Sequence, residues 1–235
     1  MLHEWPQTAE QALAVQRSLR ERVAATDELP HRISHLAGVD VAYSRDDTTV
    51  FAGVVVLDAL TLRPVETRTA VRAVAFAYLP GLFAFRELPA LLQALSEIET
   101  PIDLVVCDGH GLAHPRRLGL ASHLGVLLDR PSIGVAKRRL IGAHREPGNA
   151  RGSVANLTDD GEVIGAALRT QSNVKPVYVS VGHRISLATA VAWTLRLSTR
   201  YRLPESTRQA DRMVNALRRA WPARQTPLGD EAAAG

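Results

Sequence analysis

Leu104-Val-Val-Cys-Asp-Gly-His-Gly-Leu-Ala-His-Pro-Arg-Arg-Leu-Gly119 begins with an apolar run that ends in an acid, and glycines and a proline then interrupt regular structure. Such a run, bounded by turn residues, is typical of a strand buried on both faces in the middle of a parallel sheet. Its acid, Asp108, would lie at the carboxyl edge of the sheet, where open α/β sheets place their ligands. The loop that follows carries side chains suited to contact anions: His110, His114, Arg116 and Arg117.

Hydrophobic periodicity predicts further elements on the N-terminal side of this strand. An amphipathic helix is predicted from Thr8 to about Ala25. Three strands of an antiparallel meander should follow, at residues 36–43, 50–57 and 65–76, and then a helix that ends near Ile98.

The C-terminal side alternates strands and helices. A helix is predicted from Pro115 to Leu128, and strands at residues 132–136, 163–168 and 177–181, with a polar, Gly-rich surface loop at 142–161. Two more helices should follow, one capped by Ser186 and one from Pro204 or Ser206 to about Arg219. This order predicts an α/β fold in one domain, residues 1–221: an RNase-H-like mixed β-sheet flanked by helices. Residues 222–235 lack periodicity and are expected to be disordered.

The composition is that of an ordinary globular protein, with 46% hydrophobic and 22% charged residues among 235. The single cysteine cannot form an internal disulfide, and the N-terminus lacks the basic and apolar regions of a signal peptide. No apolar run approaches membrane-spanning length, so we expect a cytoplasmic monomer with no membrane partner. The net charge of +4 permits nucleic-acid binding without requiring it.

Three acids lie beside predicted strand or helix ends: Asp40, Glu87 and Asp108. Carboxylate oxygens are ligands of hard cations such as Mg²⁺, and acids that converge at one sheet edge would suit phosphodiester hydrolysis. Each acid also has a structural interpretation: Asp40 could cap a turn, Glu87 could match the helix dipole, and Asp108 could begin a helix. Spacing leaves both interpretations open for Glu87, whereas a charge after a buried run favours a functional role for Asp108.

Lys137 and Lys175 are the only lysines among 28 basic residues. Lys137 ends a predicted strand that should neighbour the strand of Asp108. A surface lysine is the common interpretation, but a compact ammonium group there could stabilise phosphate charge or orient water. Four arginines could position a nucleic acid through its phosphates, although a solvated basic face is the alternative for the last two: Arg116, Arg117, Arg138 and Arg139.

Tyr78-Leu79-Pro80-Gly81 places an aromatic and an aliphatic side chain on a tight turn. Composition alone favours a plug of the hydrophobic core between a strand and a helix. The alternative is a wedge that replaces the stacking lost when a damaged base is extruded from a duplex.

Taken together, these segments resemble the endonuclease V (deoxyinosine 3′-endonuclease) family, from the first helix to about Arg219. The segments that carry the resemblance, in order, are Ala37-Gly-Val-Asp-Val-Ala42, Tyr78-Leu-Pro-Gly-Leu-Phe-Ala-Phe-Arg-Glu87, Asp108-Gly-His-Gly-Leu-Ala-His-Pro-Arg116, Ala121-Ser-His-Leu-Gly125, Ile133-Gly-Val-Ala-Lys137, Gly182-His-Arg-Ile-Ser186 and Leu203-Pro-Glu-Ser-Thr-Arg208.

The resemblance implies an RNase-H-like fold and an endonuclease that depends on Mg²⁺, with Mn²⁺ as a substitute. The cut would fall at the second phosphodiester bond 3′ to deoxyinosine in DNA, leaving 3′-hydroxyl and 5′-phosphate ends. By position, the metal carboxylates would be Asp40, Glu87 and Asp108, and Lys137 would be the catalytic lysine. Some members have a histidine in the last helix where this chain has Asp211, which is a candidate additional ligand.

The resemblance also assigns the wedge to Tyr78, Leu79, Pro80 and Gly81. Backbone groups around Gly81 and Gly111 would read the extruded base, with His114 nearby and Arg116 in the same binding region. The family wedge usually has a proline before its tyrosine, whereas this chain has Ala77.

Three hypotheses follow. The first is a DNA-repair endonuclease for deoxyinosine, with single-stranded DNA or RNA as further candidate partners, and the second is a ribonuclease for inosine in RNA, since some relatives prefer RNA. The third is a non-cleaving binder of deaminated or branched nucleic acid, against which the intact acids and Lys137 count.

Overall fold

The computed structural model describes residues 2–221. Its strands are β1 (His35–Tyr43), β2 (Thr49–Asp58), β3 (Pro64–Ala73), β4 (Leu104–Asp108), β5 (Ser132–Ala136), β6 (Val154–Asp159), β7 (Glu162–Leu168) and β8 (Val177–His183). Its helices are α1 (Ala9–Arg20), α2 (Ala84–Ser96), α3 (Leu120–Leu128), α4 (Leu187–Leu197) and α5 (Glu205–Ala220).

All the described strands form one sheet in the order β3-β2-β1-β4-β5-β8-β7-β6. β1, β4 and β5 are parallel neighbours, whereas the pairs on either side of them are antiparallel. The predicted α/β fold, an RNase-H-like mixed sheet flanked by helices, is therefore confirmed. The parallel centre matters for function because its three strands end at the same edge.

Helices cover both faces of this central sheet. Val105 and Cys107 of β4 pack into a cluster with α2 and α3, while Leu104 and Val106 pack into the opposite cluster with α4 and α5. All four side chains are fully buried. Alternate residues of a strand point to opposite faces, so a strand covered on both sides must be continuously apolar, as the sequence of β4 is.

Gly38 lets α5 lie directly against β1. A Cβ atom at this position would lie 2.2 Å from the backbone carbonyl of Ser206 in the first turn of α5, far inside contact distance. A side chain here would push the helix off the sheet. Because Gly38 has no side chain, α5 packs closely on β1, and its next turns, including Asp211, lie near the carboxyl end of that strand.

Two predicted boundaries were wrong because tertiary contacts override local patterns. Helix α3 begins at Leu120 rather than Pro115, because Arg117 adopts a left-handed φ of 54°. The Arg117 side chain reaches Asp159 at 3.0 Å and Glu162 at 2.7 Å, which ties this loop to the β6–β7 hairpin. Helix α1 ends at Arg20 because the following backbone turns to β8, where the Arg184 N–H donates to the Ala24 carbonyl at 2.7 Å.

The predicted surface loop at residues 142–161 contains strand β6, which pairs with β7. β6 is an edge strand, and among its residues Leu157 alone is buried. Such a strand has almost no alternating apolar signal, which is why periodicity missed it. No helix within residues 2–221 is both long enough and apolar enough to cross a membrane. The predicted disorder of residues 222–235 concerns a segment outside the described residues.

Candidate active site

Asp40, Asp108 and Lys137 reach one edge of the sheet on three adjacent strands. Val39 of β1 is in register with Cys107 of β4, and Cys107 is in register with Gly134 of β5. Asp40 and Asp108 each follow an in-register residue, and Lys137 directly follows the end of β5. The parallel register therefore places residues that are far apart in the sequence side by side.

Lys137 pairs with the acids of this edge. Its ammonium nitrogen Nζ lies 2.5 Å from Asp108 Oδ2 and 3.9 Å from Asp211 Oδ1 of α5. The Asp108 side chain is 15% exposed and that of Lys137 is 43% exposed, so the pair is buried on the Asp108 side and open to solvent on the Lys137 side. Lys137 is thus not an isolated surface lysine. Asp211, a candidate additional ligand, lies within ion-pair distance of the same ammonium group as Asp108.

The carboxyl groups of this site crowd one another. Burial raises the pKa of Asp40 to about 8, and the negative charges of Asp108 and Asp211 add to the rise. The Val41 N–H, which donates to Asp40 Oδ1 at 2.9 Å, and the charge of Lys137 act in the opposite direction. An acid that resists ionisation because it is buried beside other acids indicates a place where an added cation would be stabilised.

Glu87 enters the same electrostatic environment from the first turns of α2. Burial raises the pKa of Glu87 to about 7, and the charge of Asp108 adds to it, while the hydroxyl of Tyr43 and the charge of Arg86 lower it. Tyr43 Oη donates to Glu87 Oε1 at 3.2 Å. The Arg86 guanidinium lies 5.0 Å from the Tyr43 ring centre and binds Asp47 at 2.6 Å. A helix-dipole role alone does not explain this set of contacts.

The donor chemistry of the site fits a hard divalent cation. Asp40, Glu87, Asp108 and Asp211 offer carboxylate oxygens, and no soft sulfur or imidazole ligand is part of the set. In the described residues, 2–221, no three acidic, histidine or cysteine side chains already lie close enough together to ligate one metal ion. The ammonium group of Lys137 instead holds Asp108 in this structure.

The turn at residues 78–81 plugs the core only through Leu79, which packs against the buried cluster that contains Phe76 and Phe85. Tyr78 is 66% exposed, and its ring contacts that of Phe83 at a centroid distance of 4.7 Å. Leu79 is half-buried and Pro80 is exposed. The Arg86 guanidinium, 5.7 Å from the Tyr78 ring centre, links this turn to the neighbourhood of Glu87.

Three side chains converge on the carbonyl oxygen of Gly81. Gln16 Nε2 and His114 Nε2 each lie at 3.0 Å from it, and Arg116 Nη2 lies at 2.7 Å. Gly81 has a φ of 76°, a left-handed conformation that favours glycine, and a Cβ atom here would lie 2.5 Å from Arg116 Nη2 and displace the end of that side chain. The carbonyl therefore ties the exposed turn to α1 and to the loop after β4.

His114 is held as a neutral ring within this network. The pKa of His114 is lowered to about 4, mainly by burial and also by the charge of Arg116. A neutral ring that donates from Nε2 to Gly81 can accept at Nδ1, where the Arg116 N–H lies at 3.2 Å. In the same loop, the buried Gly111 donates its N–H to Ser180 Oγ at 2.8 Å.

The structure separates the predicted basic residues into two groups. Arg116 is engaged with Gly81, and Arg117 pairs with Asp159 and Glu162, so both are committed to holding the loop. Arg138 and Arg139 are exposed directly after Lys137. The latter two are the arginines free to meet a phosphate backbone beside the acids.

Sequence reasoning missed Gln16, Tyr43 and the role of Arg86. A glutamine on a helix and a tyrosine at a strand end carry no local signal of function. The one available clue was Arg86 itself, a charged residue inside a strongly apolar helix start. In the structure Arg86 and Gln16 are both buried.

Comparisons with known proteins agree with this geometry. Residues 17–212 match the sequence profile described as Endonuclease V. A curated Endonuclease V from Nocardia farcinica is 55% identical over 215 residues, covering 92% of this chain and 95% of the relative.

Two solved structures are similar along the whole fold. A crystal structure of the Endonuclease V from Streptomyces avermitilis has a TM-score of 0.87 and 52% identity, covering 92% of this chain and 96% of that one. A structure of Ciona intestinalis Endonuclease V, in complex with a 24mer DNA containing an inosine followed by a ribo-adenosine, has a TM-score of 0.79 and 28% identity, covering 88% and 96%. The chain described here belongs to the Endonuclease V family.

Proposed function

We propose that this protein is a metal-dependent DNA-repair endonuclease that recognises deoxyinosine and hydrolyses the second phosphodiester bond on its 3′ side. The products would carry 3′-hydroxyl and 5′-phosphate ends. The observation that carries the proposal is the meeting of Asp40, Asp108 and Lys137 at one sheet edge, with Glu87 electrostatically coupled to them. The inosine-containing DNA bound by the Ciona relative supports the choice of substrate.

Asp40, Asp108 and Glu87 would hold Mg²⁺, with Asp211 as an additional ligand and Mn²⁺ as a substitute. The ion would supply Lewis-acid stabilisation of the negative charge that develops on the phosphate. The raised pKa values of Asp40 and Glu87 support this assignment: burial is the main cause and the charge of Asp108 adds to it, and a divalent cation at this point would stabilise the ionised carboxylates. Lys137 supplies only one positive charge to the group.

Lys137 would offset charge in the transition state. Its ammonium group already lies at this edge, against Asp108 and among the acids that would hold the ion. Glu87, hydrogen-bonded by Tyr43, would either bind the ion or orient the attacking water. The exposed Arg138 and Arg139 would contact phosphates and position the strand.

The turn at residues 78–81 would act as the wedge. An exposed aromatic ring at a fixed turn can fill the space left by an extruded base. Backbone groups around Gly81 and Gly111 would read the base, next to the neutral His114. Gln16, His114 and Arg116 support this role because all three fix the Gly81 carbonyl.

The reaction can be tested with an end-labelled duplex that contains a single deoxyinosine. We expect a nick one nucleotide beyond the inosine in the presence of Mg²⁺ and none after addition of a chelator. The same duplex with adenine in place of hypoxanthine is the control. A folded protein that makes no nick with Mg²⁺ or Mn²⁺ would contradict the proposal.

A second candidate is a ribonuclease for inosine. The DNA bound by the Ciona relative carries a ribo-adenosine after the inosine, which favours keeping this candidate. Matched DNA and RNA strands, single and duplex, would rank the two substrates by kcat/KM. If neither is cut and Asp108→Asn weakens binding, the protein is a binder of deaminated or branched nucleic acid instead.

Tyr78→Ala should reduce cleavage of duplex inosine by roughly tenfold, and that of single-stranded inosine much less, because a base–aromatic stack contributes about 1–3 kcal/mol. Tyr78→Phe keeps the ring and should retain duplex cleavage. The measurement is kcat/KM on both substrates for each variant. Equal losses on duplex and single strand would remove the wedge role.

A further inference from the structure

Arg202 lies in the connection between α4 and α5 and contacts the backbone of Lys137. Its Nη2 donates to the Lys137 carbonyl at 2.7 Å and to the Pro176 carbonyl at 2.8 Å, and its Nε donates to the Lys175 carbonyl at 2.8 Å. One half-buried guanidinium therefore joins the end of β5 to the chain that leads into β8. Hydrogen bonds from a charged donor are the stronger kind.

This contact lies at the point where strand pairing between β5 and β8 ends. The β5–β8 ladder ends with the pair Ala136 and Tyr178. Pro176, just before β8, has no N–H and cannot donate to a neighbouring strand. Beyond Lys137 the chain is exposed through Leu140. Arg202 thus supplies a hydrogen bond to the carbonyl of the residue directly after β5, where the chain enters solvent.

Arg202 is itself held by the residues that follow β7. Thr170 Oγ1, on a fully buried residue, donates to the Arg202 carbonyl at 2.7 Å. Gln171 Nε2 donates to the carbonyls of Ser198 at 2.9 Å and Tyr201 at 3.1 Å. The guanidinium is therefore presented from a fixed loop, and the chain passes from that loop into α5, which carries Asp211.

We propose that Arg202 is a positioning residue for catalysis: by clamping the Lys137 carbonyl, it sets the direction in which the Lys137 side chain reaches Asp108. This inference rests on the proposed function of Lys137. Arg202 would not touch the substrate. A small displacement of a catalytic group is costly, since misplacement by about 1 Å can lower a rate roughly a hundredfold.

The first test is kinetic. Arg202→Met should lower kcat on deoxyinosine duplex roughly 10- to 100-fold with little change in KM. Arg202→Lys keeps the charge but cannot reproduce the planar fork, so it should remain impaired. Arg151→Met is the matched control, because Arg151 donates to the carbonyls of Leu195 and Ser198 in the same connection yet does not contact Lys137. It should retain full turnover.

A double-mutant cycle separates positioning from simple loop support. In a Lys137→Arg background, Arg202→Met should lower the residual kcat by no more than about threefold, because the group being positioned is already lost. An equal loss in both backgrounds would overturn the proposal. If Lys137→Arg alone keeps full turnover, the proposed catalytic role of Lys137 is wrong. That outcome is measured without any Arg202 variant, so it is distinct from a failure of the positioning role of Arg202.

A second test needs no turnover. The chain has two lysines, so protein labelled with ¹³C at the lysine ε-carbon gives two lysine ε-methylene signals in an NMR spectrum. Lys137→Arg identifies the signal of Lys137 by its loss. Arg202→Met should shift that signal and sharpen it through added mobility, whereas Arg151→Met should leave it in place. An unmoved Lys137 signal in folded Arg202→Met would overturn the proposal.

Discussion

Asp108→Asn is expected to lower the rate of inosine-dependent cleavage by at least about a thousandfold while the protein remains folded. Asparagine keeps the shape of the side chain but removes its charge, and with it the partner that Lys137 meets at 2.5 Å. The substitution also removes a source of the repulsion that raises the pKa values of Asp40 and Glu87. The fold should therefore tolerate it, even as the site loses a metal ligand.

The measurement is a single-turnover rate on the deoxyinosine duplex, with Mg²⁺ binding followed by calorimetry using the metal alone. Asp103→Asn is the matched control, since Asp103 lies just before β4, at the opposite end of the same strand. Its Oδ2 accepts from the N–H groups of Ser34 at 2.7 Å and His35 at 3.0 Å. The control should cleave normally. Turnover by Asp108→Asn within tenfold of the parent would exclude Asp108 as a metal ligand.

Lys137→Arg is expected to reduce kcat by roughly a hundredfold and to leave the affinity for inosine-containing DNA nearly unchanged. Positive charge is retained, so phosphate attraction persists. The compact ammonium is replaced by a larger planar group that cannot occupy the same point between Asp108 and Asp211. The loss should therefore appear in turnover rather than in binding.

Comparing kcat with the dissociation constant for the same duplex, measured with a chelator present, tests this separation. Lys175→Arg makes the same chemical change at the other lysine, which is exposed, and should behave as the parent. Unchanged turnover in Lys137→Arg would reduce Lys137 to a general phosphate contact. A parallel loss of affinity would place its role in substrate binding instead.

Most elements of the fold could be predicted because they depend on local patterns. β4 is apolar throughout since both of its faces are covered, and β5 was predicted with its observed bounds. The exceptions have tertiary causes. The left-handed Arg117 shortens α3 through partners in the β6–β7 hairpin, and β6 itself has an edge-strand sequence with one buried residue.

The residues of the candidate site also divide into those predictable from local sequence and those that depend on tertiary structure. Asp108 could be singled out from local sequence, because an acid at the end of a buried apolar run needs a partner. Predicted strand and helix ends made Asp40, Glu87 and Lys137 candidates to join it, but their roles came from the resemblance, since no local pattern shows that residues so far apart meet. The pairing of Lys137 with Asp108 at 2.5 Å depends on the parallel register of β4 and β5, which no local pattern specifies.

By itself, the sequence determined a mixed α/β sheet, an acid at the edge of its central strand and an unusual aromatic turn. These features depend on apolar periodicity and turn residues, which are visible in short stretches of sequence. Only the tertiary structure decided which side chains hold the acid edge and the aromatic turn in place. Gln16 reaches the Gly81 carbonyl across 65 residues, and Arg202 reaches that of Lys137 across 65 residues. Backbone carbonyls are the same at every position, so a contact to one of them leaves no trace in the sequence until the chain has folded.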